Sequence, residues 1–136
     1  MVFKLILLVS PSGTGKTVIL REVSSREDIP YINVNLELSR KLLSVEVKQR
    51  YRKVQRLLGE IIESRTPRAV VLDNIEMLFE PSLRLDVLGC LKQLSRRQVI
   101  VAAWNGVYEN GLTYASPEHA REFRRFSVDH DVLIVT

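Results

Sequence analysis

The sequence is poor in cysteine and in long apolar runs, and each absence excludes a class of protein. Cys90 is the one cysteine among 136 residues, so no intramolecular disulfide can form, which fits a reducing compartment. No apolar run approaches the ~20 residues that a membrane-spanning helix needs. The apolar start, residues 1–10, lacks a basic segment and a cleavage site, so we do not expect a signal peptide. These absences predict a cytoplasmic protein that does not enter a membrane.

Glycine and proline are also scarce, which argues against flexible linkers. The chain has 6 glycines and 5 prolines, and it contains no internal repeat or low-complexity tract. Its length suits one hydrophobic core, so residues 1–136 are predicted to be a single domain. The net charge of +4 permits an anionic partner but does not require one.

A phosphate-binding loop follows the first apolar segment. Residues 2–9 are apolar except for Lys4, and residues 10–17 then read SPSGTGKT. A buried strand that enters a glycine-rich turn ending in Gly-Lys-Thr, ahead of a helix, is the P-loop arrangement. The residues expected to contact the nucleotide are Ser12, Gly13, Thr14, Gly15, Lys16, Thr17 and Val18.

The residue types in this loop match the chemistry of a nucleoside triphosphate bound with Mg²⁺. Gly13 and Gly15 let the backbone curl so that its N–H groups point at phosphate oxygens. Lys16 is expected to reach the β- and γ-phosphates, and the Thr17 hydroxyl to ligate Mg²⁺. Ser10 stands where glycine or alanine is usual, and its small side chain should cost little.

Two later apolar runs end in polar residues that suit the same site. Residues 69–72 are continuously apolar, as in a strand buried on both faces, and they end at Asp73. Asp73 is expected to hold the water shell of the Mg²⁺ bound by Thr17. Residues 99–104 form another such run, which ends at Asn105. Asn105 is either a contact to the γ-phosphate or the attacking water, or a turn residue before Gly106.

The segment between the P-loop and the apolar run at 69–72 is predicted to be one short strand and a long helical stretch. Residues 31–35 read as a strand, and the chain to Ser64 has an apolar stripe at helical spacing that includes Leu43 and Val47. The opposite face is basic, and it is either a solvated surface or a contact with nucleic acid or an acidic partner. Its cations are Arg40, Lys41, Lys48, Arg50, Arg52, Lys53 and Arg56.

The C-terminal half completes an alternation of strands and helices. We predict a helix over 83–95 capped at Pro81-Ser82, a hairpin over 108–114, a helix over 117–126 and a last strand over 131–135. Asn-Gly within the hairpin favours a two-residue type I′ turn. The alternation predicts an α/β fold of parallel βαβ units with helices on both faces of the sheet.

Three stretches together resemble the additional-strand P-loop ATPases and the AAA+ group within them. They are SPSGTGKT at 10–17, AVVLDN at 69–74 and VIVAAWN at 99–105. The resemblance implies ATP as the nucleotide, a three-layer P-loop NTPase fold with a five-stranded parallel sheet in the order 5-1-4-3-2, and a sensor role for Asn105. It also implies self-association through an arginine that reaches a neighbour's ATP site. The candidates are Arg124 and Arg125, whose alternative interpretation is surface charge on a terminal helix.

Two departures from that family bear on hydrolysis. The family usually has Asp-Glu at the end of the third strand, whereas here Asn74 follows Asp73. Because asparagine cannot accept a proton, a general base must come from Glu76 or from elsewhere, and hydrolysis is expected to be slow or partner-dependent. The chain also ends where the family's helical lid should begin, so no lid is expected.

Further stretches resemble the BrxF family, the small P-loop proteins of type 3 BREX bacteriophage-exclusion systems. They are residues 32–43, 70–86, 94–106 and 112–119. The resemblance implies a bacterial antiphage defence component that acts beside a DNA methyltransferase, a phosphatase-like protein, a larger ATPase and a helicase, in association with DNA. The alternatives are a nucleotide-binding adaptor with little hydrolysis and a small-molecule kinase. The absence of Arg and Lys from the hairpin argues against a kinase lid.

Overall fold

The computed structural model describes residues 4–65, 68–115, 124–129 and 131–136. The strands are β1 (Leu5–Ser10), β2 (Tyr31–Asn33), β3 (Ala69–Asp73), β4 (Val99–Tyr108), β5 (Leu112–Tyr114), β6 (Arg124–Phe126) and β7 (Val132–Val135). The helices are α1 (Lys16–Glu27), α2 (Val34–Leu42), α3 (Arg50–Glu63) and α4 (Val87–Leu94). Short 3₁₀ helices lie at Val47–Gln49, Glu76–Phe79 and Pro81–Leu83.

The parallel part of the sheet has the strand order β2-β3-β4-β1-β7. Counting β7 as the fifth parallel strand, this is the predicted order 5-1-4-3-2, so that prediction is confirmed. In the register, Ser10 lies opposite Asn105, and Asn33 lies opposite Asp73. The polar residues that end these strands therefore meet along one edge of the sheet, where parallel strands present their carboxyl ends.

Helices cover both faces of the sheet, as predicted. α1 packs on one face through Leu20, beside Val71 and Ala103. The other face carries α2, α3 and α4 in the main hydrophobic core, which includes Cys90. In the part of the chain that the structure describes, no helix is long and apolar enough to cross a membrane. No helical lid occurs in the described ranges either.

The segment predicted as a strand followed by one helical stretch divides differently. β2 stops at Asn33, and Val34 and Asn35 already belong to α2, so the predicted strand over 31–35 is too long. The Asn33 side chain accepts a hydrogen bond from the Leu36 N–H, which caps the helix and explains this early start. The helical stretch is then interrupted after Leu42. Leu43 and Val47, which the pattern assigns to the apolar stripe, are 80% and 72% exposed.

The fourth helix begins later than predicted. Pro81 and Ser82 belong to a 3₁₀ turn that ends at Leu83, and Arg84 follows it with a left-handed φ of 50°. α4 starts only after Asp86, whose side chain accepts a hydrogen bond of 3.2 Å from the Gly89 N–H. The predicted cap at Pro81-Ser82 is therefore wrong, and Asp86 is the cap.

The region after β3 and β4 departs most from the prediction. β4 runs on to Tyr108 and pairs antiparallel with β5, so Asn105 and Gly106 lie inside a strand and not in a turn. A Cβ atom at Gly106 would lie 1.8 Å from the Thr113 carbonyl oxygen, so only glycine fits there. Three residues separate the facing pair Tyr108 and Leu112, so the loop is one residue longer than the predicted type I′ turn.

The predicted helix over 117–126 is wrong in its last part. Arg124–Phe126 forms strand β6, which pairs antiparallel with β5. Residues 116–123, which hold the rest of that prediction, lie outside the described residues. β5 and β6 extend the sheet beyond the five parallel strands, and the last strand, Val132–Val135, lies within the predicted range.

Candidate nucleotide-binding and hydrolysis site

The loop between β1 and α1 has the shape that the sequence predicts. Gly13 and Gly15 have φ angles of 80° and 91°, in the left-handed region that favours glycine. Gly15 is the N-terminal capping residue of α1, so the positive end of the helix faces the loop. The turn and the helix end together form an anion-binding concavity.

Lys16 is almost completely buried at the base of this loop, with 7% of its surface exposed. Its Nζ donates to the carbonyl oxygens of Ser10 and Pro11, at 2.9 and 2.8 Å. Burial lowers the pKa of Lys16, and the nearby carboxylates of Glu76 and Asp73 act in the opposite direction. The ammonium group therefore sits in the loop close to two acids and is held by weak neutral acceptors.

Asp73 lies at the carboxyl end of β3 and is 3% exposed. Its Oδ2 accepts a hydrogen bond of 2.7 Å from the Thr17 hydroxyl, and its Oδ1 accepts one from the Asn74 N–H at 2.9 Å. The two residues predicted to hold Mg²⁺ are thus in contact. In the described residues no three His, Cys, Asp or Glu side chains cluster as a metal site. A hydroxyl and a carboxylate nevertheless fit Mg²⁺, which takes its other oxygen ligands from phosphates and water.

Tyr31 is a member of this site that sequence reasoning missed. Its phenol donates to the same Oδ2 of Asp73, and the Arg21 guanidinium lies 4.3 Å from the centre of its ring. Burial, followed by the bond to Asp73, raises the pKa of Tyr31 to about 12. The phenol therefore keeps its proton at neutral pH and remains a donor to the carboxylate.

Glu76 turns back into the cleft because the chain bends at Asn74. Asn74 has a left-handed φ of 52°, which asparagine tolerates better than most residues. The Glu76 carboxylate is held on both oxygens: Oε2 accepts from the Asn35 amide at 2.9 Å, and Oε1 from the Asn105 amide at 3.2 Å. The Asn35 carbonyl oxygen in turn accepts from the Met77 N–H at 3.0 Å.

A cleft of about 160 Å³ lies at the carboxyl edge of the sheet, between the loop and the ends of β3 and β4. The structure brings together most of the residues that the sequence assigns to the site. They are Ser12, Gly13, Gly15, Lys16, Thr17, Asp73, Glu76 and Asn105. Thr14 is exposed and donates to the Pro11 carbonyl oxygen, and Val18 projects from α1 with 71% of its surface exposed.

Comparison with known families agrees with this geometry. Residues 6–100 match the family described as ATPase family associated with various cellular activities (AAA). The chain belongs to the AAA family. The matched range contains the P-loop and Asp73 and ends before Asn105. No curated protein matches the chain.

Two solved structures resemble the chain over 76% of its residues. One is the crystal structure of the FIGL-1 AAA domain in complex with ADP, with 26% identity and a TM-score of 0.46. The other was solved in work on katanin self-assembly, with 27% identity and a TM-score of 0.43. The chain covers 36% and 34% of those two proteins, about a third of the length of each.

The two arginines considered as contacts to a neighbouring AAA subunit have different surroundings. Arg124 is half-buried, and its guanidinium donates to the carbonyl oxygens of Phe79 and Leu85, both at 2.9 Å. Its Cζ lies 5.7 Å from the centre of the Phe79 ring. Arg125 is the next residue of the same strand and is exposed. Arg124 thus binds within its own chain, a contact that the sequence did not predict.

Asn35 could have been found from one signal in the sequence. Asn35 lies just beyond the end of β2, and β2 lies beside β3 in the sheet. Polar residues that follow neighbouring parallel strands meet at one edge, which is the reasoning that selects Asn105. Because the predicted strand includes Asn35 and does not end before it, the sequence pattern hides this relation.

Proposed function

We propose that the chain binds Mg²⁺-ATP in this cleft and hydrolyses it with Glu76 as the general base. The observation that carries the proposal is that two side-chain amides, those of Asn35 and Asn105, bond to the Glu76 carboxylate. Each amide donates one N–H, so the two bonds fix the direction of the carboxylate. A carboxylate oriented into the cleft is the group that can accept a proton from a water molecule there.

The other residues of the cleft account for binding and positioning. The backbone N–H groups of the loop and the N-terminal end of α1 receive the phosphates. Lys16 exchanges its two carbonyl acceptors at Ser10 and Pro11 for phosphate oxygens, which bond a cation more strongly than neutral carbonyls do. Thr17 and Asp73 would hold Mg²⁺, which supplies positive charge against the phosphate oxygens when it is bound.

Asn74 and Glu76 together replace the usual acidic pair of the family in this proposal. Asn74 supplies the left-handed bend, and Glu76 supplies the base two residues later. This favours an ATPase over the alternative of an adaptor with little hydrolysis, because the carboxylate is present and oriented. The hairpin over 108–114 contains no Arg or Lys, which argues against a kinase lid there.

Lys16→Ala tests the proposal, and Lys4→Ala is its matched control. Lys4 precedes β1, the strand that leads into the Lys16 loop, and its Nζ donates to the Arg96 carbonyl oxygen at the opposite edge of the sheet. We expect Lys16→Ala to lose ATP binding and phosphate release while its circular dichroism spectrum is unchanged. Lys4→Ala should keep both activities. If Lys16→Ala binds ATP as wild type does, the nucleotide site is elsewhere.

We extend the proposal to assembly and biological role on the basis of the sequence resemblances alone. The chain self-associates, with Arg124 or Arg125 as the arginine directed at a neighbour's ATP site. It serves in the cytoplasm as an ATP-gated, DNA-associated component of a type 3 BREX system, beside the methyltransferase, the phosphatase-like protein and the larger ATPase. Phage plating on cells that carry a complete system tests this role. Lys16→Ala should restore plaques, and Lys4→Ala should not.

A further inference from the structure

The beginning of α3 concentrates positive charge where a helix tolerates it least. Five cations fall between residues 48 and 56, and the first turn of the helix has no acidic residue. The N-terminal end of a helix carries a partial positive charge, so cations placed there are unfavourable. We define the basic face as these five residues and one more from a separate segment. Its members are Lys48, Arg50, Arg52, Lys53, Arg56 and Arg84.

Hardly any of this charge is neutralised within the chain. Among the described residues, the basic face has a single ion pair, from Arg56 to Glu60 at 3.7 Å. Other exposed arginines do find acids, since Arg26 pairs with Glu22 at 2.7 Å. Arg52 and Lys53 are exposed to solvent. The uncompensated cations raise the electrostatic free energy of the folded chain, and an anionic partner would relieve this.

Tyr51 joins the two segments of the basic face. The Arg84 guanidinium lies 4.6 Å from the centre of the Tyr51 ring, and Arg52 donates to the Tyr51 hydroxyl at 2.9 Å. Arg84 reaches this place with a left-handed φ of 50°, a conformation that is unfavourable for a residue other than glycine. Strain at a non-glycine residue is commonly retained where it serves a function. Here it places a sixth cation beside those of α3.

The basic face is also close to the nucleotide cleft. A groove of about 380 Å³ is lined by Arg50 and Ser82, and by Glu76, which also lines the cleft. Glu76 of the cleft and Arg84 of the basic face are the two ends of one short segment, which consists mostly of two 3₁₀ helices. Because Glu80 and Glu76 line the groove, a polyanion is expected to lie along α3 and not inside the groove.

We propose that the basic face binds the phosphodiester backbone of DNA. Exposed arginines and lysines along one helix, with a tyrosine between two guanidinium groups, match a regular series of phosphates better than the scattered carboxylates of a protein. The inference deepens the DNA association in the proposed function by naming its surface, and it does not depend on ATP hydrolysis. The contacts are to the backbone, so binding is independent of base sequence.

The test compares two variants that remove the same charge. Arg52→Gln with Lys53→Gln removes two cations from the basic face. Arg68→Gln with Arg96→Gln removes two exposed cations next to the N-terminal ends of β3 and β4, at the opposite edge of the sheet. Binding of a fluorescent 20-base-pair duplex is measured by anisotropy over a series of salt concentrations. ATP binding is measured on the same samples.

We expect the basic-face variant to bind DNA about tenfold or more weakly at low salt. Its log–log salt slope should fall by about 0.9 for each phosphate that the variant no longer neutralises. The control variant should change affinity by less than about twofold.

Equal weakening in both variants, or an unchanged salt slope in the basic-face variant, would overturn the proposal. Binding to polyglutamate without binding to DNA would also overturn it and indicate an acidic protein as the partner. Because ATP binding is measured separately, failure of the nucleotide site is distinguishable from failure of the basic face.

Discussion

The side-chain amide of Asn35 donates a hydrogen bond of 2.9 Å to Glu76, a residue 41 positions later in the sequence. The same Asn35 accepts from the Met77 N–H, so it holds both the carboxylate and the backbone beside it. Asn35 lies in the first turn of α2, just after β2, whereas Glu76 begins the 3₁₀ helix after β3. The general base of the proposed reaction is thus fixed by an element that carries no catalytic motif of its own.

Asn35→Ala is expected to lower kcat for ATP hydrolysis by about tenfold to a hundredfold, since one hydrogen bond to a charged group is worth about 1.5–3 kcal/mol. KM should change little, because Asn35 does not line the nucleotide cleft. Asn33→Ala is the matched control: it removes the helix cap and costs about 1 kcal/mol of stability, with no loss of kcat. An equal fall in kcat in both variants would show that Asn35 affects hydrolysis only through the stability of the fold.

Glu76→Gln is expected to lower hydrolysis by about 10²–10⁴ while ATP stays bound, because the amide cannot take a proton but keeps the shape of the side chain. Single-turnover measurement of phosphate release, alongside equilibrium binding of ATP, separates the two effects. Glu80→Gln, four residues later in the same segment, should hydrolyse at the wild-type rate. If the Glu76→Gln variant releases phosphate at the wild-type rate, the general base is another residue.

Asp73→Asn is expected to remove the Mg²⁺ dependence of ATP binding. The amide can still accept from Thr17, but it lacks the negative charge that favours a divalent cation. Titration calorimetry with and without Mg²⁺ is the measurement. Wild-type affinity should rise with Mg²⁺, and the variant should bind equally in both conditions. Retention of the Mg²⁺ effect by Asp73→Asn would contradict the assignment of Thr17 and Asp73 as the residues that hold Mg²⁺.

Tyr31 should titrate at a pKa of about 12, because burial and the bond to Asp73 favour its protonated form. The folded pKa is raised above the unfolded value of about 10, so the stabilisation is complete below pH ~10 and is lost as the pH rises toward 12. The difference in tyrosinate absorbance between wild type and Tyr31→Phe isolates this group. A difference curve with its midpoint near pH 10 would show that the phenol is not held as the structure describes.

Arg124→Gln is expected to lower the free energy of unfolding by about 1–3 kcal/mol, since two carbonyl oxygens would be left without their charged donor. Arg125→Gln is the matched neighbour, and because Arg125 is exposed its variant should lose less stability than Arg124→Gln. Urea denaturation compares the two. If Arg125 reaches a neighbouring subunit, its variant should instead lower phosphate release at high protein concentration. A stability loss in Arg125→Gln equal to that in Arg124→Gln would contradict these roles.

The parts of the site that the sequence predicts are those that depend on local chain signals. The P-loop is a strand, two glycines and Gly-Lys-Thr in succession, and its conformation follows from nearest neighbours. Asp73 is recognised because a buried strand ends there. The order of the parallel strands comes from the family resemblance, and the sheet confirms it.

The parts that sequence reasoning missed depend on contacts between distant segments. Residues 31–35 have strand-like composition, but the Asn33 cap and the packing of Val34 in the core turn the chain into α2 at that point. Arg124 falls within a predicted terminal helix, yet it lies in a strand and bonds to carbonyl groups 39 and 45 residues earlier. No local pattern encodes such partners.

By itself the sequence therefore determined that the chain has a P-loop, and it predicted that Lys16, Thr17 and Asp73 come together in one site. Only the tertiary structure decided that Tyr31 shares Asp73 with Thr17, that Asn35 and Asn105 hold Glu76, and that Arg84 joins the basic face of α3. The physical reason is that a motif is fixed by the conformational preferences of adjacent residues. A side chain's partner is fixed by which strands lie next to each other and where they end.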